Sequence, residues 1–313
     1  MPGSVMDLPG FPTLVDARYR VVVEEETQDI TDVRDDLYTI MDSDRLDEFA
    51  TEIGELGSWA EFLGAVNYDQ LYEQFNTQAR AREYATGTLV TRRMVDYDLS
   101  GVLNGMRFRP MVRAGLVTRQ EHATRLYENM GITDAYYYTY SETVPIVSTS
   151  HTTRTPGVST STGFSNSTTA ALSPVSVRAI QINGRKIKSD RGKRINLNYD
   201  GAICCVDLVP RMQEILRTPW GLDTPYRTIN PESASNIGIQ KIIGLPYWSS
   251  TTNYAFVNLR NMKMACRWLR QVEPEFGRIT EFDTLQIKSR GYMRHGYMVI
   301  MNGRFWIYGG LVT

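Results

Sequence analysis

The chain has 313 residues, 42% of them hydrophobic and 22% charged, with a formal net charge of −1. A chain of that size and apolar content buries a sizeable core, which excludes a disordered protein and predicts two packed units. No stretch approaches the ~18 unbroken apolar residues of a membrane helix, and MPGSVMDLPGFPTLVDARYR lacks the basic-then-apolar order of a secretion signal, so the chain is expected to stay in the cytosol. Three cysteines are too few for a disulfide framework, and an odd number fits a reducing compartment.

The near-neutral total hides an uneven distribution. Residues 1–76 hold 18 Asp or Glu against 4 Arg, net −14, which leaves the remainder at net +13. Of 34 basic residues only Lys186, Lys188, Lys193, Lys241, Lys263 and Lys288 are lysines. Arginine's planar fork favours bidentate ion pairs at interfaces. A solvated acidic face with a compositional preference for arginine accounts for the same numbers, and both readings stand.

The first twenty residues, with Pro2, Gly3, Pro9, Gly10 and Pro12, read as an extended arm. TDVRDDLYTIMDSDRLDEFATEI then sets Val33, Leu37, Ile40 and Met41, and later Leu46, Phe49 and Ile53, at helical spacing with acids opposite. That pattern predicts short amphipathic helices in need of a partner surface. Gly54, Gly57 and Gly64 break it, and AREYATGTLVTRRMVDYDLSG, rich in β-branched and aromatic residues around Gly87, reads as two strands of a long hairpin. Residues 102–130 read as a long helix, kinked or restarted near Pro110 and interrupted at Gly115, with Leu116, Gln120, Ala123, Leu126, Tyr127 and Met130 on one face.

Fourteen of the 22 residues in 148–169 are Ser or Thr, which predicts an exposed loop. In LSPVSVRAI, Ser173 caps a helix and Pro174 opens it. Asp190, Arg191 and Gly192 form a turn, residues 203–209 a buried strand, Pro210 the start of the helix RMQEILRT, and PWGLDTPYRTINPESASN a long loop. Towards the C-terminus Leu285 and Ile287 alternate with Gln286, Lys288 and Arg290 as in a sheet. Asn302 and Gly303, between YMVIM and RFWIY, are a two-residue hairpin signal. The chain thus reads as a mixture of helices and strands, and the fold class expected, with the resemblance given below, is α+β.

Little here asks for catalysis. Cys204 and Cys205 are adjacent, so on a strand they face opposite sides and cannot chelate one ion, and no C-x-x-C occurs. They read as core thiols. His122, His151 and His295 are scattered over a helix, a loop and a strand, and no phosphate-loop, dinucleotide or H-E-x-x-H motif is present. The chain reads as a non-enzyme with no cofactor and no metal. An enzyme would need a pocket uniting His151 or Cys205 with a carboxylate.

YATGTLVTRRMVDYDLSGVLNGM resembles the return of the extended loop into the spine helix in major capsid proteins of tailed bacteriophages, the Mu-like major head subunit family in particular. The polar VPIVSTSHTTRTPG and FSNSTTAALSPVSV before a helix, the DRGKRINL turn leading to a strand and VPRMQEIL, and the terminal VEPEFGRITEFDTLQIKSRGYMRHGYM are similar to that family in the same order, over roughly residues 60–313. The resemblance implies an acidic N-terminal arm with short helices (1–76), an extended loop (77–100), a peripheral domain with a spine helix (101–195), an axial domain (196–272) and C-terminal strands returning to the peripheral domain (273–313). It makes residues 189–218 the crossing between the peripheral and axial domains.

The resemblance further implies self-assembly as hexamers and pentamers into an icosahedral shell around double-stranded DNA, held without sequence specificity. The neighbouring subunit would be touched by Arg80, Arg82, Glu83, Tyr84, Arg92 and Arg93 of the extended loop and by Asp32, Asp35, Asp36, Asp44 and Asp47 of the arm. Trp220, Asp223, Tyr226 and Arg227 would face the capsomer centre. Further partners implied are a separate scaffolding protein, a portal and a decoration or cement protein, with no membrane, in the virion and, during assembly, the host cytoplasm. An encapsulin-like nanocompartment shell around a cargo enzyme is the rival reading. Residues 29–61 are expected to lie on arginine-rich neighbours, with DNA as the competing partner of the basic body. Some relatives weld their shells through an extended-loop lysine, and none precedes Lys186 here, so a noncovalent shell is expected. A start at Met1 leads to the expectation that no N-terminal scaffolding segment is removed.

Overall fold

The computed structural model describes residues 32–59, 61–64, 66, 68–97, 108–218, 230–233 and 237–312, so the arm expected over the first twenty residues lies outside the described residues. The chain divides into two units. The first comprises Asp32, Arg82–His122 and Arg270–His295; the second comprises Val33–Ala81, Ala123–Leu269 and Gly296–Thr313. Each unit is assembled from several stretches of the chain.

Of residues 32–61, only Arg34–Leu37 (α1) is helical; Thr39–Asp42 (β1) and Asp47–Ile53 (β2) are strands, which corrects the expectation of amphipathic helices. Phe49, Thr51 and Ile53 recur every second residue as well as at near-helical spacing. The antiparallel partner Glu73–Arg80 (β3), in register from Asp47↔Arg80 to Thr51↔Asn76 and shifted by an irregularity before Ile53↔Glu73, decides between the two periods by pairing the backbone. The expected 77–100 hairpin is also corrected. Strand Arg82–Thr91 (β4) follows β3 after the single residue Ala81, and the two do not pair with one another. β3 lies between β2 and β5 (Tyr138–Tyr140), whereas β4 pairs antiparallel with Gln286–Val299, with Gly87 opposite Arg290 in mid-ladder.

Helix Arg92–Asp96 (α2) follows, and then Phe108–Glu128 (α3), unbroken through Pro110 and Gly115. Pro110 and Gly115 both lie within this described helix, and residues 98–107, where a kink or restart ahead of Pro110 would fall, lie outside the described residues. Leu116, Gln120, Ala123, Leu126, Tyr127 and Met130 are all buried, as the spacing predicts.

The second unit is centred on a five-stranded sheet in the order β6-β12-β9-β7-β8, with β6 Ser167–Thr168, β7 Gly201–Cys205, β8 Lys241–Leu245, β9 Tyr254–Val257 and β12 Ile307–Gly310. Helices α4 (Pro174–Lys186) and α5 (Val209–Arg217) share its core: Val177, Ile180, Met212, Ile215 and Leu216 pack with Cys204, Tyr254, Phe256 and Tyr308. Each such side chain contributes ~1.5–3 kcal/mol by leaving water. Ser173 caps α4 through Ser176 and Pro174 sits in its first turn, as the sequence indicates. β7 stops at Cys205, short of the expected 209, because residues 206–208 form a 3-10 turn that leads Pro210 into α5. Residues 189–218 lie wholly within this unit. Helix α6 (Leu259–Ala265), capped by Asn258, leads from β9 into Cys266–Thr280 (β10).

β10 and β11 (Gln286–Val299) are the long strands of a four-stranded sheet ordered β1-β10-β11-β4, and both have residues in each unit. Ile287 is buried and Lys288 and Arg290 are exposed, as alternation predicts, whereas Leu285 precedes the strand at φ 52. Asn302 and Gly303 do not form a hairpin. Asn302 caps a 3-10 turn at residues 303–305 by accepting from Arg304 N, and β12 pairs with β9 and β6. A Cβ at Gly303 would lie 1.9 Å from the Ile146 carbonyl oxygen, so the glycine serves close packing. The loop at 148–169 is only partly exposed, for His151, Thr155, Phe164 and Asn166 are buried anchors. Among the described residues, no helix is long and apolar enough to cross a membrane.

Candidate assembly surfaces

The acids expected on the arm hold partners in their own chain. Asp32 accepts from Arg119 at 2.6 Å, and Arg119 also meets Glu273 at 3.2 Å, all in the first unit. In the second unit Asp35 pairs with Arg34, Asp36 with Lys241, and Asp47 takes both Nε and Nη2 of Arg80 at 2.5 and 2.8 Å. That fork holds the Asp47 carboxyl below its usual range, chiefly by hydrogen bonding. Asp44 is exposed.

The extended-loop candidates fall on three elements, not one hairpin. Arg80 closes β3; Arg82, Glu83 and Tyr84 lie on β4 opposite His295, Arg294 and Met293; Arg92 and Arg93 open α2. Glu83 pairs with Arg294 at 3.1 Å, Arg92 with Asp96 at 3.4 Å, and Arg93 lies 6.0 Å over the Tyr97 ring. Tyr84 stacks on His295, and His295 Nε2 is 3.0 Å from His122 Nδ1. The sequence placed those two histidines on separate elements; the β4–β11 register brings them together, and no local spacing signals it. Trp220, Asp223, Tyr226 and Arg227 lie outside the described residues.

Behind the β2–β3–β5 sheet the second unit buries a polar junction. His151, 2% exposed, meets Glu142 Oε2 through Nδ1 at 3.1 Å and Asn166 Oδ1 through Nε2 at 3.0 Å. The Asn166 amide donates to Ile146 O and Ile307 O, which fixes its oxygen towards the histidine, so each imidazole nitrogen faces an acceptor. A general base needs a lone pair open to a substrate, and this ring offers none. The ring and Glu142 form part of the wall of a cavity of about 250 Å³ that is otherwise mainly apolar, with Tyr138, Val144, Pro145 and Met301. Beside it Glu52 Oε1 accepts from Tyr140 Oη and Asn302 N, both at 2.7 Å, and burial raises its carboxyl to about 7.

Arg304 is fully buried, donates to Asp190 Oδ1 at 2.9 Å, and lies 4.0 Å over the Phe164 ring and 4.6 Å over Phe305. Burial lowers its proton affinity and raises that of Asp190. The Nε and Nη1 groups have no hydrogen-bond acceptor, and the two rings offset part of that cost. Cys204, Cys205 and Cys266 are buried free thiols, and burial pushes Cys204 up to about 12, which keeps it a protonated core group. Among the described residues no group of three His, Cys, Asp or Glu could hold a metal ion.

The need for a partner surface that the sequence indicated at Phe49 and Ile53 holds for a strand face in place of a helix, and the exposed surface goes further than the sequence indicated. The outer face of β2 and the turn region after it expose Phe49, Ile53, Trp59, Phe62, Leu63 and Tyr68. The alternation of Phe49, Thr51 and Ile53 was the available signal, masked by the helical reading of the same residues.

No family model matches the chain, and no curated protein matches it in sequence. Solved structures do match over most of its length. A structure from Microbacterium phage Oxtober96 is 12% identical, covers 91% of both chains and has a TM-score of 0.52. The capsid of an empty GTA particle is 11% identical over 88% of this chain and 87% of its own, TM-score 0.51, and that of the native GTA particle 12% identical over the same shares, TM-score 0.50. At these identities the likeness is one of architecture, and the chain has the α+β fold of tailed-phage major capsid proteins.

Proposed function

We propose that this chain is a major capsid protein that assembles as hexamers and pentamers into an icosahedral shell around double-stranded DNA. The observation that carries the reading is the likeness of fold, over 88% of the chain, to the capsid of a GTA particle. One subunit type closes such a shell when its contacts repeat with small adjustments from site to site. The order of motifs supports a place in the Mu-like head subunit family. The role is structural, a reading supported by the engagement of both His151 nitrogens.

The partners that follow are further copies of the chain, a separate scaffolding protein and portal during assembly in the host cytoplasm, a decoration or cement protein, and packaged DNA in the virion. Arg80, Arg82, Glu83, Tyr84, Arg92 and Arg93 keep a proposed place at subunit boundaries, as do Asp32, Asp35, Asp36, Asp44 and Asp47. Since four of those acids already hold cations of their own chain, each gives a neighbour only about 0.2–1 kcal/mol. Trp220, Asp223, Tyr226 and Arg227 are proposed at the capsomer centre on the resemblance alone. Sedimentation of the purified chain, with nucleic-acid and protein analysis of particles from producing cells, tests the function. DNA-filled shells are expected. Packaged cargo protein without DNA would favour the nanocompartment, and a stable monomer would refute both.

A further inference from the structure

Between β2 and β3, the described residues of 54–72 turn their large apolar side chains outward. Trp59 is 98% exposed, Tyr68 91%, Leu63 85% and Phe62 70%, and Phe49 and Ile53 extend the surface along the outer face of β2 at 70% and 73%. Single exposed apolar residues are ordinary. At ~150–250 Å² for each aromatic, however, the four exposed rings carry about 600 Å² of apolar surface between them, well beyond what one or two scattered residues expose.

The polar groups at the neck of the same segment are tied inward. Arg191 donates from Nε to Glu55 O at 3.0 Å and from Nη2 to Asp69 at 3.0 Å and to Gln70 O, and its guanidinium lies 5.2 Å over the Tyr72 ring. Asp69 accepts from Gly57 N at 2.6 Å, a bond that leads in holding its carboxyl below the usual range, and Gly54 N donates to Tyr72 O at 2.9 Å. Arg191 is itself set by a tight turn in which Gly192, at φ 76, donates to Ser189 O and Ser189 N donates to Lys193 O. The ends of the segment are thus fixed within the chain before a partner arrives, which lowers the ordering cost of binding.

We propose that the described residues of this segment (54–59, 61–64, 66 and 68–72), with the outer face of β2, are a docking surface for a second copy of this chain, and that Arg191 is the positioning residue that holds it ready. The inference rests on the shell reading and moves the grip from the expected 77–100 to an apolar surface nearer the N-terminus. Charge complementarity selects the occupant. Asp69 is taken by Arg191, which leaves Glu55 and Glu61 as the segment's free acids with no basic residue among 54–72, whereas the chain after residue 76 carries net +13. An acid-flanked apolar surface is repelled by DNA and by anionic lipid, and it suits the arginine-rich remainder of another copy.

The test uses the full chain. Trp59→Ser/Phe62→Ser/Tyr68→Ser and Arg191→Gln are compared with the parent by circular dichroism, by sedimentation over a concentration series, and by oxidative footprinting of the peptide containing Trp59. Hydrogen exchange is followed in dissociated subunits. The triple variant is expected to keep the parent spectrum and lose large particles. Arg191→Gln is expected to raise the concentration needed for assembly at least tenfold and to speed exchange in residues 54–72 alone, with Arg191→Lys partly restoring both. In parent particles at 0.1 M salt Trp59 should be protected at least tenfold relative to dissociated subunits, with part of that protection lost at 1 M salt as the acidic flank is screened from its arginine-rich partner.

A triple variant that assembles like the parent would overturn the inference and leave the shell reading standing. Parent shells in which Trp59 stays fully oxidisable would do the same, and would point to another protein as the occupant. Small parent oligomers with Trp59 protected would uphold the docking surface and refute the shell. Should the triple variant prove insoluble, Trp59→Ser alone and the parent footprint decide.

Discussion

Glu52→Gln separates the buried junction from every other source of pH dependence in this chain. The Glu52 carboxyl has a folded-state value of about 7 against 4.5 for the ordinary group, with burial the leading cause, opposed by the Tyr140 and Asn302 hydrogen bonds. A raised carboxyl binds its proton more tightly folded than unfolded. Its contribution is therefore fully present below about 4.5, falls as pH rises from there to about 7, and is lost above. The interval of about 2.5 corresponds to about 3 kcal/mol. Glutamine reproduces the neutral acid and can accept the same two bonds, and it does not titrate. Urea denaturation of dissociated subunits at pH 4.5 to 8.5 should show parent and variant alike at the acid end. The variant should become more stable by up to about 3 kcal/mol at the alkaline end, half of the change being reached between pH 5 and 6.5. Glu142, Asp190 and His151 face the same junction and cancel in the comparison insofar as they are unchanged. A difference that stays flat across this range would refute a buried, protonated Glu52.

Arg304→Met should cost about 3–5 kcal/mol, because it leaves Asp190 buried without its cation, and the added change Asp190→Asn should recover part of that loss in a double-mutant cycle. Additive effects in chemical denaturation would show that the pair is not coupled. Gly303→Ala should cost more than about 3 kcal/mol, since the new methyl would meet the Ile146 backbone at 1.9 Å, and soluble expression with an unchanged melting temperature would contradict it. Particles boiled in detergent should run as single chains, because no lysine precedes Lys186 to weld β4 to a neighbour. Covalent ladders containing residues 77–100, seen by mass spectrometry, would show otherwise.

Some local signals were decided by atoms close in sequence, and these held. Ser173 and Pro174 start α4 with atoms four residues apart or fewer, Pro210 starts α5, and the buried face of α3 follows a single period. Errors arose where two local patterns compete and a distant strand arbitrates. Phe49, Thr51 and Ile53 fit a strand, the other apolar spacings fit a helix, and β3 decides. Asn302 and Gly303 carry a hairpin signature, yet Ile146 and β9, both far along the chain, fix their use. The surface was least legible for the same reason. Arg191 lies more than 100 residues from the Asp69 it holds, and the pairing of His122 with His295 exists only through the register of β4 on β11.

Electron cryomicroscopy of particles formed by the purified chain addresses the central claim most directly. The account predicts closed icosahedral shells built from hexamers and pentamers of this subunit, with residues 54–72 of each copy covered by a neighbour. A chain that remains monomeric at all concentrations, or that forms only open aggregates without icosahedral symmetry, would contradict it.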